Sequence, residues 1–500
     1  MARVNRRKFL QSSLAAAATV TIGGTKSSAR VLGANDRIRI AVAGLNGRGE
    51  SHVDAFMKMK NVEIVYLVDP DKRTYQKRLD QIAGTKKPDP KAPKDAPPPP
   101  PSGRPVPSCL TDIRKALEDK ELNAVSIATP NHWHSLMTIW ACEAGKDVYV
   151  EKPCSHNIHE GRIAVEMARK HKRVVQHGTQ SRSSQNWADL AALAKSGKLG
   201  KLLVSRGLCY KDGGTGGSTR GDIGTKPTKA PPADLDFNIW LGPAQEQAYH
   251  ENLVHYRWHW FWDFGNGDMG NQGVHQMDIA RWLIPGATWP KSVISFGGRY
   301  ANNDQGETPN TQVTVMDFGE TQLVFETRGL KSELYRGQGV GNILHFEEGV
   351  VAGNKFYPKG KDIGEALPKV TADEKISGDH FGNFIDCVRS RDTSKLHAEI
   401  ELGHVSSGLC HLGHISHKLG KDEAYDPKLG KLSGNEFGTE ALQRMAEHLK
   451  DSGIKFDGKN LRVGRKLDFD AKTERFIKDD EANALLTRKY RAPFTVPDKV

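Results

Sequence analysis

The run Ile38-Arg-Ile-Ala-Val-Ala-Gly44-Leu45-Asn46-Gly47-Arg48-Gly49, followed after a helical pattern to Met59 by Val62-Glu-Ile-Val-Tyr-Leu-Val-Asp69, decides the fold. It reads as a β-rich strand ending in glycine, a glycine turn, a helix and a second strand ending in an acid, which is a βαβ unit. The rhythm continues with a helix over 111–119, a strand over 124–129, a helix over 133–144 and a strand over 147–150. Such alternation predicts a parallel sheet with helices on both faces. The stretch 86–107, with Pro97 to Pro101 consecutive, predicts an extended surface insertion, because proline lacks the N–H that helices and ladders need.

Beyond residue 200 the text changes. Strands over 202–209, 291–299, 311–318, 321–328 and 342–348 follow without helices between them, which predicts an antiparallel sheet covered on one face. Helices over 379–390 and 400–418 come next, and the last seventy residues read as a polar, charged extension that either folds back on the body or mediates assembly.

With 500 residues, 37% hydrophobic and 26% charged, the chain can bury a core, and it lacks an apolar run near the ~20 residues of a spanning helix. Its six cysteines (109, 142, 154, 209, 387 and 410) form no C-x-x-C pair, which excludes a disulfide scaffold or zinc ribbon. The net charge is 72 − 60 = +12, but residues 1–34 hold six basic residues and no acid, leaving +6 on the remainder. That spread predicts no nucleic-acid partner.

Asn5-Arg6-Arg7-Lys8-Phe9-Leu10, then the weakly apolar Leu14 to Ile22 and small residues to Ala29 and Ala34, resembles a twin-arginine export signal. The resemblance implies the twin-arginine machinery as a partner and a periplasmic location. Cleavage after Ala29 or Ala34, or retention as a membrane anchor, both fit. This route carries folded proteins, so a bound nucleotide would be collected in the cytoplasm.

A glycine turn between strand and helix lets backbone amides approach a pyrophosphate at the positive end of the helix. Gly44, Gly47 and Gly49 suit this, with Asn46 and Arg48 between them, although the spacing is G-x-x-G-x-G and Asn46 stands where the second glycine of G-x-G-x-x-G belongs. Asp69, 25 positions after Gly44, sits where an acid bonds the adenosine ribose diol, so NAD is favoured over NADP; Lys72 and Arg73 nearby partly offset that preference.

At Ala128-Thr129-Pro130-Asn131-His132-Trp133-His134 and Glu151-Lys152-Pro153 the chain resembles the Gfo/Idh/MocA oxidoreductases, named for glucose–fructose oxidoreductase, inositol dehydrogenase and a rhizopine-catabolism protein, over residues 37–420. The resemblance implies a Rossmann domain followed by an α/β domain with a largely antiparallel open sheet. The division is then a signal at 1–34, a NAD-binding domain at 35–155, a substrate and oligomerisation domain at 156–430 and an extension at 431–500. It implies that Thr129, Pro130, Asn131, His134, Glu151 and Lys152 line the cofactor, with Lys152 beside the nicotinamide. It also implies assembly as a dimer or tetramer through the open sheet face.

The family's second signature, Asp-x-Gly-x-His-x-x-Asp, here reads Asn271-Gln-Gly273-Val-His275-Gln-Met-Asp278, and the i, i+4, i+7 spacing places Asn271, His275 and Asp278 on one helical face. His275 is the leading general-base candidate by its ordinary pKa of ~6.5. Asn271 departs from the family's aspartate: an amide can hold a hydroxyl but not take its proton, so Lys152 with His275 carries the proton, or Asp268 or Asp278 compensates, or the reaction differs. Trp258 and His259, within Tyr256-Arg-Trp-His-Trp-Phe-Trp262, offer sugar-stacking or core-packing faces, and Gln180 and Arg182 a polar edge for substrate. His250, His255 and His259 lack a fixed ligand spacing, so no metal is expected.

Three functions remain: an NAD-dependent oxidoreductase on a sugar, cyclitol or glycoside hydroxyl with a tightly held cofactor; an NAD-assisted glycoside hydrolase or lyase using transient oxidation and elimination; and a non-catalytic exported carbohydrate-binding protein.

Overall fold

The computed structural model describes residues 37–85, 102–211, 221–373, 375–376, 378–455, 458 and 460–500, so the twin-arginine segment and the proline run lie outside the described residues. The opening βαβ unit forms as read: β1 (Ile38–Ala43), α1 (Gly49–Met57) and β2 (Val62–Val68). After it come α2 (Tyr75–Ala83), β3 (Ser108–Leu110), α3 (Ile113–Leu117), β4 (Ala124–Ile127), α4 (Asn131–Glu143), β5 (Asp147–Val150), α5 (Ile158–Lys170) and β6 (Val175–His177). The six strands pair in parallel in the order β3-β2-β1-β4-β5-β6. Alternation along β1 sends Ile40 and Val42 to one face, with Phe56 and Tyr149, and Ala41 and Ala43 to the other, with Val125 and Leu136. Because both faces are buried, the strands read as apolar runs. The order reverses between β1 and β4, which opens a crevice at their carboxyl ends. The sheet is completed only by α5 and β6, past the boundary expected at 155.

The second region contains α6 (Gln185–Lys195), β7 (Leu202–Tyr210), α7 (Phe237–Leu241), α8 (Gly267–Asn271), α9 (Gly273–Trp282), β8 (Ser292–Gly298), β9 (Thr311–Asp317), β10 (Gln322–Arg328), β11 (Val340–Phe346), β12 (Gly349–Ala352), β13 (Lys355–Pro358) and β14 (Glu365–Ala366). There follow α10 (His380–Ser390), α11 (Ile400–Lys418), β15 (Lys421–Glu423), α12 (Glu436–Asp451), β16 (Leu461–Val463), β17 (Leu467–Asp470), β18 (Arg475–Phe476) and α13 (Asp480–Ala484). The sheet runs β14-β13-β12-β11-β7-β10-β9-β8-β16-β15, antiparallel except for the parallel β7–β10 pair.

The expectation of one covered face is corrected here. Met316, Leu323 and Phe325 pack with Met277 of α9 and Leu409 and Leu412 of α11, while Ile294, Val313, Val315 and Val324 on the opposite face pack with Leu442, Met445 and Leu449 of α12. α12 is built for this role. Asn435 caps it by accepting from the Gly438 N–H, and its apolar residues recur at helical spacing on one face. Burying each of these leucines and the methionine contributes about 1.5–3 kcal/mol. A charged cluster joins the same helix to the sheet: Arg206 and Arg444 both donate to Glu326, and Arg206 also meets Glu440 at 2.7 Å. Against the upward push of burial, the two guanidiniums pull the Glu326 carboxyl down to about 2. The last residues also fold back, Phe494 meeting Trp133 of α4 edge-on at 5.6 Å. Described residues of the stretch 431–500 therefore contribute to the core, and the sheet face read as open is covered by the chain itself.

Candidate functional site

A cleft of about 290 Å³ lies at the crevice, lined by Gly44 to Arg48, Asp69, Thr129 to Asn131, His134, Glu151, Lys152 and Asn271. Its turn needs glycine for two different reasons. Gly44 has φ +86°, and a Cβ there would stand 2.5 Å from the Ala128 carbonyl; a Cβ on Gly49 would strike Gly44 O at 1.9 Å. A Cβ on Gly47 would meet nothing within 4 Å, so the fold does not require that glycine, and it leaves backbone open to the cleft. A bared turn at the head of α1 suits a pyrophosphate.

Asp69 ties the turn to the end of β2: its Oδ2 accepts the Leu45 N–H at 2.8 Å and its Oδ1 the Asp71 N–H at 2.9 Å. Burial pushes its carboxyl up to about 6, against those two hydrogen bonds. Arg73 is held by Asp71, its Nε 2.7 Å from Oδ1. His134 is buried and its ring spans Thr129 O and Pro153 O, at 2.8 and 2.6 Å, clamping the two family motifs together. Asn131 donates to Asn266 at 3.0 Å. Glu151 is buried and accepts from Arg48 Nε at 2.8 Å, from Gln180 at 3.2 Å and meets His52 at 3.2 Å. Despite its burial, His52 and Arg48 hold its carboxyl well below the usual range.

Lys152 lines the cleft beside Asn271. Its Nζ donates to the Asn271 carbonyl at 2.7 Å and to Asn271 Oδ1 at 3.1 Å. The single helix expected over 271–278 is in fact two, α8 and α9, meeting at Gln272. His275 N bonds back to Gln272 O, which leaves the Asn271 carbonyl for the lysine. Burial lowers the Lys152 ammonium to about 8, with Arg48 and Lys211 pushing the same way and Glu151 opposing. Lys211 itself donates to Gln272 at 2.8 Å.

The other candidates separate. His275 is coupled electrostatically to Lys152 and Glu151 but does not line the cleft, and burial holds its imidazole down to about 3, so it is neutral and weakly basic. Asp278 and Arg182 find each other: Arg182 Nε donates to both carboxylate oxygens at 2.9 Å, Ser406 adds a bond at 2.6 Å, and both side chains are buried. Neither lines the cleft, which corrects the catalytic reading of Asp278 and the substrate-facing reading of Arg182. Gln180 is turned toward Tyr149 and Glu151. Trp258 lines the cleft, whereas His259 is buried with Nδ1 on Tyr256 O. Among the described residues, no group of three or more His, Cys, Asp or Glu could hold a metal ion.

Sequence reasoning missed Ile239 and Trp240 and weighed His255 only as a metal ligand, whereas all three line the cleft. No motif marks them.

Comparison with known proteins places two family models on the chain. The Gfo/Idh/MocA model described as the oxidoreductase family's NAD-binding Rossmann fold matches residues 38–179, and that for its C-terminal alpha/beta domain matches 219–317. Levoglucosan dehydrogenase of Pseudarthrobacter phenanthrenivorans is 24% identical over 282 residues, 53% of this chain and 63% of that protein. The scyllo-inositol 2-dehydrogenase (NAD(+)) of Bacillus subtilis is 32% identical over 192 residues, 38% and 43% respectively. A glycosyl hydrolase family 109 protein of Shewanella baltica is 26% identical over 181 residues, 32% and 36%. The chain thus spans less than two thirds of these relatives. In fold it is similar to the WlbA dehydrogenase of Chromobacterium violaceum, solved with NADH and UDP-GlcNAcA, at TM-score 0.54 and 18% identity, covering 77% of this chain and 94% of that one.

Proposed function

The chain belongs to the Gfo/Idh/MocA family of oxidoreductases, and from that premise we propose that it moves hydride between a tightly held NAD and a carbinol carbon of a sugar, cyclitol or glycoside. The observation that carries this is Lys152, its ammonium lowered to about 8, lining the same cleft as a glycine turn and Asp69. NAD, when bound, supplies the carbon that takes the hydride. The chain's own residues do the rest. The Gly44–Gly49 turn faces the pyrophosphate, and Asp69 the adenosine ribose. Lys152 takes the hydroxyl proton on its neutral amine, while the Asn271 side chain fixes its direction. NAD is preferred over NADP because Asp69 repels a 2′-phosphate and Arg73, one of the two cations just after it, is engaged by Asp71. The relatives named for dehydrogenation of levoglucosan and of scyllo-inositol support a polyhydroxylated substrate.

A second reading is NAD-assisted glycoside hydrolysis, in which water is consumed and no external oxidant is needed. Asn271 in place of a carboxylate favours it, as does the family 109 relative. The leader supports export to the periplasm by the twin-arginine route, with NAD loaded beforehand. Assembly as a dimer or tetramer would use a surface other than the sheet face that α12 covers.

The test begins by denaturing purified protein and measuring released NAD. A stoichiometric yield supports retention. Growth of reduced-nicotinamide absorbance with sugars or cyclitols supports the dehydrogenase; nitrophenol release from a glycoside panel without added nucleotide, lost in Lys152→Ala, supports the hydrolase. Silence in both assays would leave a carbohydrate-binding protein.

A further inference from the structure

The dinucleotide cleft has a wall that the glycine turn does not explain. Ile239, Trp240, His255 and Tyr256, from a segment entering long after the Rossmann sheet is complete, line it together with Gly44 to Arg48 and Asp69. That segment is fastened to the strand end carrying Asp69. Lys72 N donates to Asp234 O at 3.0 Å and Asp236 N to Pro70 O at 2.9 Å, making an antiparallel bridge between Asp71 and Leu235. Further along, His255 Nε2 reaches Asp71 Oδ2 at 2.8 Å, and Asp71 is fully buried. Toward the other end, Trp133 Nε1 donates to Ile239 O at 3.1 Å.

We propose that residues 232–258 form a strap that retains the dinucleotide, with the Asp71–His255 pair as its latch beside the adenosine end. The inference rests on the NAD reading above and adds what holds the cofactor in place between turnovers. A carboxylate within hydrogen-bond reach of an imidazole, and out of water, is a strong tie at a single point. Opening the cleft at that end requires breaking it, together with a short backbone bridge. A protein that leaves the cytoplasm with one cofactor molecule gains from such a closure, because slow release preserves the loaded form.

The test uses full-length protein loaded with NADH, diluted into excess NAD, with loss of bound-nicotinamide fluorescence giving the release rate. His255→Ala is expected to release NADH about tenfold faster, as loss of one charge-assisted hydrogen bond predicts. His255→Gln, whose amide can still donate to Asp71, is expected to recover most of the wild-type rate. A rate for His255→Ala equal to wild type, or for His255→Gln as fast as for His255→Ala, overturns the latch. Should His255→Ala fail to fold, His255→Gln and Asp71→Asn read the same rate: near-wild-type release in the first with faster release in the second supports the pair, and wild-type release in both overturns it. A wild-type protein that binds no NADH would instead remove the dinucleotide reading itself, so the two failures are distinguishable.

Discussion

Lys152→Gln tests the chemistry most directly. An ordinary lysine with a pKa of 10.5 is neutral in about three molecules per ten thousand at pH 7, whereas one at about 8 is neutral in about a tenth of them, a gain near three hundredfold in competent base. The amide variant keeps much of the side chain's reach but accepts no proton. The loss of a positioned general base costs about 10²–10⁴ in rate. The assay is a pH profile of sugar oxidation at saturating NAD. Wild type should rise with pH through about 8 and level off above it, because the lysine must be neutral to take a proton. Lys152→Gln should be slower by at least a hundredfold and should lack that limb. Lys211→Met, which removes a neighbouring cation that disfavours protonation of Lys152, should move the limb upward in pH. A Lys152→Gln enzyme that kept both its rate and its limb would show that the proton goes elsewhere.

Other expectations follow from particular contacts. Arg182→Leu removes the closer guanidinium from buried Asp278, leaving it Ser406 and, at 3.8 Å, Arg281, and should cost about 1.5–3 kcal/mol in denaturant unfolding; a stability equal to wild type combined with a raised sugar KM would return Arg182 to the substrate. Gly44→Ala should fail to fold or be severely destabilised by its clash with Ala128, whereas Gly47→Ala should unfold like wild type yet bind NADH more weakly in a titration; equal affinity would refute a pyrophosphate at that turn. Glu326 has a folded-state pKa depressed to about 2, so its stabilising contribution is present above the unfolded value of ~4.3 and is lost as pH falls toward 2. Glu326→Gln should therefore flatten the acid limb of the stability curve between about pH 4.5 and 2, and an unchanged limb would assign acid unfolding to other carboxylates.

The legible part of this protein was the part written locally. Ile38 to Gly44 and Val62 to Asp69 declare a βαβ unit because strand periodicity, glycine geometry and helix pattern all act over a few residues. Lys152 was found by its neighbours Glu151 and Pro153. The Asn271–Asp278 segment was half legible: its helical spacing was visible, but the interruption at Gln272 that frees a carbonyl for Lys152 was not. His275 was read by its ordinary pKa, whereas an imidazole's basicity depends on what surrounds it, and burial lowers this one to about 3.

What remained hidden was set by long-range packing. Arg182 and Asp278 lie 96 positions apart, and nothing in either neighbourhood says that each is the other's partner. The last seventy residues left folding back and assembly both open because α12 buries a single face and turns its charges outward, a pattern that does not say which surface it will cover. His255 reaches Asp71 across 184 positions. By itself the sequence determined the nucleotide-binding half and its glycine turn. Only the tertiary structure decided which charges are consumed by one another and which are left facing the cleft, since a side chain's pairing and its hydration are properties of the whole packed interior.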